Sequence, residues 1–327
     1  MSFLIMLVKR ISYGLTLLLA VLVFGFLLLH LAPGDPADVI AGEMGGATEE
    51  MMAQIRADYG LDRPLIVQLG SYIGKVAQGD LGYSYYFNEP VSGLILDRLG
   101  PTILLVASSL FLAILVGTLL GVMAARKPNG LLSHAVTVVA LIGYALPVFW
   151  TGIMLVILLA SVFPLFPVSG MHNVMKDASG FSYVLDVLHH LALPVLSLST
   201  IYLAFYSRLS RASMLDVLGA DYVRTARAKG LAESVVIYKH ALRNAVLPVV
   251  TFAGLQFSSL FSGAVLVETV FSWPGLGTLA YDSILRRDTP TLLGILFFAA
   301  LIVVVVNLLT DLAYRIVDPR IKTAAAL

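Results

Sequence analysis

Long apolar stretches alternate with shorter polar ones along this chain of 327 residues. A helix rises about 1.5 Å per residue and the hydrocarbon core of a bilayer is about 30 Å thick, so roughly 20 apolar residues are needed to cross it. The pattern therefore predicts an all-α polytopic membrane protein with six transmembrane helices. The six stretches lie at 11–32, 102–125, 134–160, 188–207, 245–267 and 290–311.

Composition agrees with this pattern and excludes several function classes. Hydrophobic residues make up 59% of the chain and charged residues only 13%, well below the charged share of an ordinary soluble domain. A net charge of +1 indicates no nucleic-acid partner, and the absence of cysteine excludes disulfides, thiolate metal sites and a cysteine nucleophile. The apolar run after Lys9 and Arg10 is longer than the core of a signal peptide, and no cleavage site follows it. We therefore expect it to be a retained first span.

The distribution of Lys and Arg indicates which connecting segments face the cytoplasm. With the N and C termini both cytoplasmic, the inner segments hold 14 basic residues and the longer outer segments hold seven, as the positive-inside rule requires. The first outer segment carries ten acidic residues and must lie in water, where Thr48 is expected to cap a short helix that ends at Gly60. We therefore expect one membrane domain with a first span at 1–32, an external subdomain at 33–100, a five-helix core at 101–314 and a cytoplasmic tail at 315–327.

Prolines and glycines inside the predicted spans indicate where helices bend or approach closely. Pro147, Pro194 and Pro248 each remove a backbone hydrogen bond, and each either kinks its helix or is simply tolerated in the membrane. Gly117 and Gly121 form a GxxxG pattern on the second span, which predicts close packing against a neighbouring helix.

A charged cytoplasmic segment at 208–244 separates the fourth and fifth spans and holds seven of the basic residues. Within it the pattern predicts a two-turn helix over 222–229, with Asp221 as its N-cap and Gly230 as a left-handed stop, and a second helix that begins near Glu233. Small side chains and cations share the first helix, and small side chains would let it enter another protein's groove. The alternative is that the cations follow the orientation rule and contact anionic lipid.

Residues in and around this segment resemble the membrane permeases of bacterial ABC importers, in particular the dipeptide, oligopeptide and nickel family. RTARAKG at 224–230 lies where that superfamily has its EAA-x-x-x-G loop, with Arg224 at the Glu position and Thr225 at the first Ala position. Other stretches match the family's landmarks in order: HLAPGDP at 30–36, YGLDRPL at 59–65, GDLGYSY at 79–85, ALPVFW at 145–150, ETVFSWPGLGTL at 268–279 and DPR at 318–320.

The resemblance implies a type I ABC importer permease fold and a transport subunit rather than an enzyme. Its implied partners are a homologous second permease in a heterodimer, two ATP-binding subunits, an external substrate-binding protein and membrane lipid. The chain has no G-x-x-x-x-G-K-S/T motif, so we expect ATP and Mg²⁺ on the partner subunits and no cofactor on this chain. The short helix is then the coupling helix, and the residues implied in ATPase coupling are Asp221, Tyr222, Arg224, Thr225, Ala226, Arg227, Lys229 and Gly230.

The function implied is ATP-driven import of di- or oligopeptides across the cytoplasmic membrane by alternating access. Import of a nickel complex or of glutathione by the same kind of permease is one alternative. A proton-driven secondary transporter is another, although the second and fifth spans hold no carboxylate. An intramembrane enzyme is a third class, for which the chain has no H-E-x-x-H motif and no convincing pair of nucleophile and base.

Polar residues inside the predicted spans are costly in lipid, so they are the candidates for the solute path. Gln256 is the strongest, because its amide offers the donors and acceptors that a peptide bond needs. The loop at 268–288 either forms an outer gate or anchors Trp273 at the membrane interface. No metal site is predicted, since His189 and His190 are expected to contact water or headgroups. The predicted path residues are Tyr144, Ser199, Tyr202, Gln256 and Ser259.

Overall fold

The computed structural model describes residues 3–31, 48, 50–53, 56, 62–175 and 179–317, and the side chains at 3, 4, 6, 29, 255, 257–262 and 311–317 lie outside that description. Most of the described chain is helical, because a backbone in lipid must pair its N–H and C=O groups within its own segment. In chain order the elements are α1 (Phe3–Leu31), α2 (Leu65–Ala77), β1 (Tyr83–Ser84), β2 (Glu89–Pro90), α3 (Val91–Arg126), α4 (Leu131–Ala145), α5 (Val148–Leu155), a π-helical segment (Val156–Val162), α6 (Phe181–Leu218), α7 (Asp221–Ala228), α8 (Glu233–Val235), a second π-helical segment (Val236–Ala241), α9 (Leu242–Ala245), α10 (Leu247–Phe271), α11 (Leu276–Arg286) and α12 (Thr289–Val317).

Each of the six predicted spans corresponds to helical structure. α1, α3, α6 and α12 are long and apolar enough to cross a membrane, and α4 together with 148–162 passes the same test as a bent pair. α10 has 25 residues and covers the fifth predicted span. α3 and α6 are longer than predicted, with 36 and 38 residues. At about 1.5 Å per residue, both reach beyond a hydrocarbon core of about 30 Å.

The three span prolines have different consequences. Pro147 has an extended backbone between α4 and α5, which meet at an angle of 105°. Pro194 lies inside the continuous helix α6. Pro248 lies in the first turn of α10, where a proline removes no helical hydrogen bond. Of the three, Pro147 alone breaks its span.

The described residues form two compact units, and residues 1–101 and 275–308 make up the first. It holds α1, α2, the two strands, α11 and most of α12. α1 and α12 approach closely at a glycine, since a Cβ on Gly14 would stand 2.6 Å from a methyl carbon of Val304. In the external segment, the Thr48 hydroxyl accepts a hydrogen bond from the Met51 N–H at 3.3 Å, which confirms the predicted cap. The predicted stop at Gly60 lies outside the described residues.

A short antiparallel hairpin in the first unit is fixed to the start of α12. Its register places Tyr83 opposite Pro90 and Ser84 opposite Glu89. The buried Asp288 carboxylate accepts a hydrogen bond from the Ser84 hydroxyl at 2.6 Å. The same carboxylate also accepts a hydrogen bond from the N–H of Thr291 at 3.1 Å. It therefore both caps α12 and holds the hairpin in place.

The described residues within 102–274 and 309–317 make up the second unit, in which α6 is the central helix. α4, α5 and α10 all pack against it. The GxxxG prediction is confirmed, because a Cβ on Gly121 would stand 2.5 Å from the carbonyl oxygen of Ser207 on α6. The apolar core of this unit includes Leu105, Val106, Leu191, Leu198, Tyr206, Val267 and Trp273. The four-part division of the chain made from the sequence stays a prediction.

Candidate functional site

The charged segment after α6 folds as a helical hairpin, and its first arm, α7, begins one residue earlier than predicted. Ala220 is the N-cap: its backbone is extended, and its carbonyl accepts the N–H groups of Val223 and Arg224 at 3.0 and 3.2 Å. The prediction of Asp221 as the N-cap is therefore wrong. Asp221 is the first helical residue, where its charge favours the positive end of the helix, and its carboxylate lies 3.3 Å from Arg224.

The end of α7 and the start of the second arm agree with the sequence. Gly230 has φ +76°, in the left-handed region that glycine adopts without strain, and its N–H donates to the Arg227 carbonyl at 2.9 Å. The second arm begins at Glu233 and runs through a π-helical segment and α9 to Ala245, just before α10. We refer to 233–245 as the returning arm, and to 221–245 as the coupling hairpin.

One face of α7 packs against its own chain. Val223 is fully buried and Ala226 is 7% exposed, and both lie in an apolar cluster with Val236 of the returning arm. Val217 and Leu218 at the end of α6 close this cluster. Ala226 is therefore not among the small side chains that α7 can offer to another protein, and its implied part in coupling stays a prediction. In the sequence, the i, i+3 spacing of Val223 and Ala226 is the signal for such a face.

Two polar contacts join the ends of α7 to the returning arm. At one end, the Arg227 guanidinium donates to both carboxylate oxygens of Glu233, at 3.1 and 2.8 Å. At the other end, Asn244 Nδ2 donates to the Tyr222 hydroxyl oxygen at 2.7 Å. The hydrogen bond with Arg227 lowers the pKa of Glu233 and raises the pKa of Arg227, so both groups are charged at neutral pH. Sequence reasoning does not find Asn244, because 22 residues separate it from Tyr222.

The returning arm anchors the hairpin in the second unit. It contributes Ile237, Ala241 and Ala245 to a buried apolar cluster. The cluster is completed from α3 and α6 by Val122, Ala125 and Met214. The coupling hairpin is thus packed against the ends of two long helices, and a displacement of α7 has a direct path into them.

The opposite face of α7 is exposed and positively charged. All eight residues implied in ATPase coupling are described, and all except Ala226 are open to solvent. Arg224, Arg227 and Lys229 supply three cations, of which Arg224 lies beside the Asp221 carboxylate and Arg227 pairs with Glu233 of the returning arm. Thr225 and Ala228 are the small residues that do face outward. This exposed face, rather than Ala226, is the surface available to another protein.

The residues predicted for the solute path lie on three helices. Tyr144 is 63% exposed at the end of α4, beside the bend at Pro147. Tyr202 on α6 and Gln256 on α10 are half-buried. Ser199 is 2% exposed and its hydroxyl donates to a carbonyl of its own helix at 3.1 Å, which does not favour contact with solute. The side chain of Ser259 lies outside the described residues, and the path stays a prediction.

The structure contradicts one of the two interpretations of the loop after α10. Trp273 is fully buried in the apolar core of the second unit, so its interpretation as an interfacial membrane anchor is wrong. One turn earlier, the buried Glu268 carboxylate accepts a hydrogen bond from the Thr102 hydroxyl at 2.7 Å. The Trp273 N–H donates to the Glu268 carbonyl at 2.8 Å, which ends α10. The role of this loop as an outer gate stays a prediction.

Histidines near the predicted outer side contact backbone carbonyls. His189 Nε2 lies 2.8 Å from the Leu165 oxygen, and His190 Nδ1 lies 2.8 Å from the Asp186 oxygen. In the part of the chain that the structure describes, no three His, Asp or Glu side chains are grouped closely enough to hold a metal ion.

Comparison with known proteins gives matches along nearly the whole chain. Residues 117–323 match the family described as binding-protein-dependent transport system inner membrane component, and residues 3–106 match the N-terminal family of such components. The chain is 41% identical to the dipeptide transport system permease protein DppB of Escherichia coli, over 96% of this chain and 97% of that protein. It is 39% identical to the oligopeptide transport system permease protein AppB of Bacillus subtilis, over 96% of this chain and 98% of that protein.

A solved structure gives an independent match of the fold. A chain from the inward-facing MetNI methionine ABC transporter superposes with a TM-score of 0.55 at 16% sequence identity. The match covers 69% of this chain and 96% of the other. The two chains therefore share a fold, which confirms the predicted permease architecture.

Proposed function

This chain belongs to the family of inner membrane components of binding-protein-dependent transport systems, and we propose that it is the permease subunit of an ATP-driven importer of di- or oligopeptides. The observation that carries the proposal is the match to named peptide permeases over 96% of the chain. The two relatives are named for dipeptide and oligopeptide transport, and that substrate class is the one we assign to this chain.

An importer of this kind needs subunits that this chain does not supply. We assign it a homologous second permease, two ATP-binding subunits that hold ATP and Mg²⁺, and an external substrate-binding protein. The complex would lie in the cytoplasmic membrane with both termini of this chain inside and its spans in contact with lipid. The charge distribution supports this orientation, since the coupling hairpin and the end of α6 just before it hold seven of the Lys and Arg residues, more than any other connecting segment.

The exposed face of α7 is the surface that we assign to the ATP-binding subunit. The helix α7 is short and cationic, and polar contacts at both of its ends connect it to the returning arm, so the two are expected to move together. Closure of the ATP-binding subunits would displace α7 and, with it, the returning arm. The apolar cluster between the returning arm and the ends of α3 and α6 would then pass that displacement to these two helices. The spans would then rock between outward-open and inward-open arrangements, and this chain performs no bond chemistry itself.

Solute would pass between this chain and the second permease. Tyr144, Tyr202 and Gln256 offer hydroxyl and amide groups that can pair with peptide bonds. Hydrogen bonds to the peptide backbone do not depend on side-chain sequence, which suits a carrier of varied short peptides. Selection among peptides would then rest largely on the external binding protein.

The test is purification of the tagged chain from its native membrane, followed by transport in liposomes. We expect two ATP-binding chains to copurify, and the complex with its binding protein to accumulate a labelled dipeptide only when ATP is supplied. Uphill transport by the isolated chain alone would overturn the proposal. Uptake that needs a proton gradient and not ATP would favour a secondary transporter. Accumulation of a nickel complex or glutathione in place of peptides would replace the substrate class only.

A further inference from the structure

We propose that Asn244 is a positioning residue for transport: its hydrogen bond to Tyr222 makes α7 move as one body with the arm that leads into α10. The inference rests on the proposed function, because it concerns how ATP-driven movement enters the membrane helices. Asn244 itself lies outside the set of residues that the sequence indicates for coupling.

The geometry of the coupling hairpin gives this contact its importance. α7 runs antiparallel to the returning arm, so that Arg227 in its last turn meets the first residue of that arm, Glu233. Tyr222 in its first turn meets Asn244, near the last residue of the arm. The apolar cluster around Val223 lies between the two polar contacts. If the Asn244 bond were lost, the Arg227 pair and the apolar cluster would still hold α7, but its first turn would lose its polar connection to the end of the returning arm.

Asn244 also lies next to the junction of the returning arm with the membrane helices. The next residue, Ala245, is buried in the cluster with the ends of α3 and α6, and α10 begins at Leu247. A displacement of the first turn of α7 therefore reaches the start of α10 through this side-chain contact, in addition to its path to α6 through the cluster around Val223. Asn244 is neutral, so replacing it by alanine removes this contact without changing the charge of the hairpin.

The experiment compares Tyr222→Phe, Asn244→Ala and the double variant in the complete transporter. The quantity measured is the amount of solute imported per ATP hydrolysed. We expect each single variant to lower this ratio by roughly fivefold, which is the population change that one hydrogen bond controls. The double variant should lower the ratio no further, because both changes remove the same bond.

Two further variants serve as controls. Asn244→Asp should keep the ratio, since its carboxylate can accept a hydrogen bond from the Tyr222 hydroxyl. Tyr238→Phe should also keep it, because Tyr238 is an exposed tyrosine of the same arm whose hydroxyl has no hydrogen bond among the described residues. A purely structural role for Asn244 predicts instead that the amount of complex falls while the ratio stays unchanged. That result would overturn the inference.

A covalent replacement of the bond keeps the inference testable if the simple variants assemble poorly. The chain contains no cysteine, so Tyr222→Cys with Asn244→Cys introduces a single pair that a short bis-maleimide can bridge. Bridging should restore the ratio that the unbridged pair loses, and failure to restore it would count against the inference. In all arms, ATP-driven uptake by the parent transporter shows that the proposed function holds; if the parent lacks it, the proposed function and this inference fall together.

Discussion

Replacing Ala226 by Glu tests whether α7 is packed on its own chain or only attached by its ends. Ala226 is 7% exposed and contacts the fully buried Val223 and Val236, so a glutamate there cannot reach water while α7 stays in place. We expect the variant to lose solute uptake because α7 separates from the returning arm. The physical cause is then internal unpacking and not the loss of a contact with the ATP-binding subunit.

The magnitude follows from the two ways in which the chain can respond. Keeping an unpaired carboxylate in the apolar cluster costs several kcal/mol. Moving α7 away exposes Val223 and Val236, and full burial of a valine contributes about 1.5–3 kcal/mol, so this response costs about 3–6 kcal/mol. The chain adopts the response that costs less free energy, so the substitution favours the open position of α7 by about 3 kcal/mol. The open population of α7 should therefore rise by about a hundredfold.

Hydrogen exchange of the amides in 221–235, measured on the purified transporter without nucleotide, reports that population directly. In Ala226→Glu we expect the protected amides of α7 to exchange about a hundredfold faster. Ala232→Glu is the matched control, because residue 232 is exposed, lies between the two arms and outside the face of α7 assigned to the ATP-binding subunit, and a surface substitution changes stability by about 0.5 kcal/mol or less. Its exchange should stay within about twofold of the parent. Unchanged protection in Ala226→Glu would show that the apolar face of α7 does not hold the hairpin together.

Three further substitutions test other parts of the structure. Gly121→Leu should destabilise the chain by about 1–3 kcal/mol, seen as a lower melting temperature in detergent, because a Cβ there already meets a carbonyl oxygen of α6 at 2.5 Å. Trp273→Ala should cost about 3–5 kcal/mol in the same assay and Trp150→Ala much less, since Trp273 is fully buried and Trp150 is exposed; equal losses would contradict the burial. Because Arg227 lowers the pKa of Glu233, their contact contributes stability that is present above the ordinary glutamate pKa and is lost as pH falls through the lowered value. The pair is exposed and contributes about 1 kcal/mol or less, so a spin label at the C-terminal end of α7 should gain a little mobility on acidification in the parent and show no such pH response in Glu233→Gln.

Local chemistry explains the parts of the fold that the sequence predicts well. The six apolar stretches identify the spans because crossing a bilayer depends on length and composition alone. Gly230 is predicted as a helix stop because its left-handed conformation depends on a single residue. The sequence predicts the N-cap one residue late, at Asp221, because side-chain preference favours Asp as a cap, whereas the extended backbone of Ala220 decides the start.

Tertiary packing decides the features that the sequence does not reveal. An aromatic residue beside a Pro-Gly turn is typical of a membrane interface, yet Trp273 fills the core of the second unit. Small side chains on a short helix favour contact with a partner, yet Ala226 packs on the inner face of α7 with its i, i+3 neighbour Val223. The contact between Tyr222 and Asn244 depends on how two arms of a hairpin align, and no local spacing encodes that.

The length and continuity of α6 favour movement of the spans as a body over a local gate. α6 has 38 residues and at about 1.5 Å per residue is about 57 Å long, so it extends from one side of the bilayer to the other and beyond. Leu191, in its N-terminal half, belongs to the apolar core, and Met214, near its C-terminal end, belongs to the base of the coupling hairpin. Pro194 does not interrupt the helix between them. Under the proposed function, a displacement passed from α7 to the end of α6 would therefore be carried towards the opposite side of the membrane, with no break in α6 where it could be absorbed.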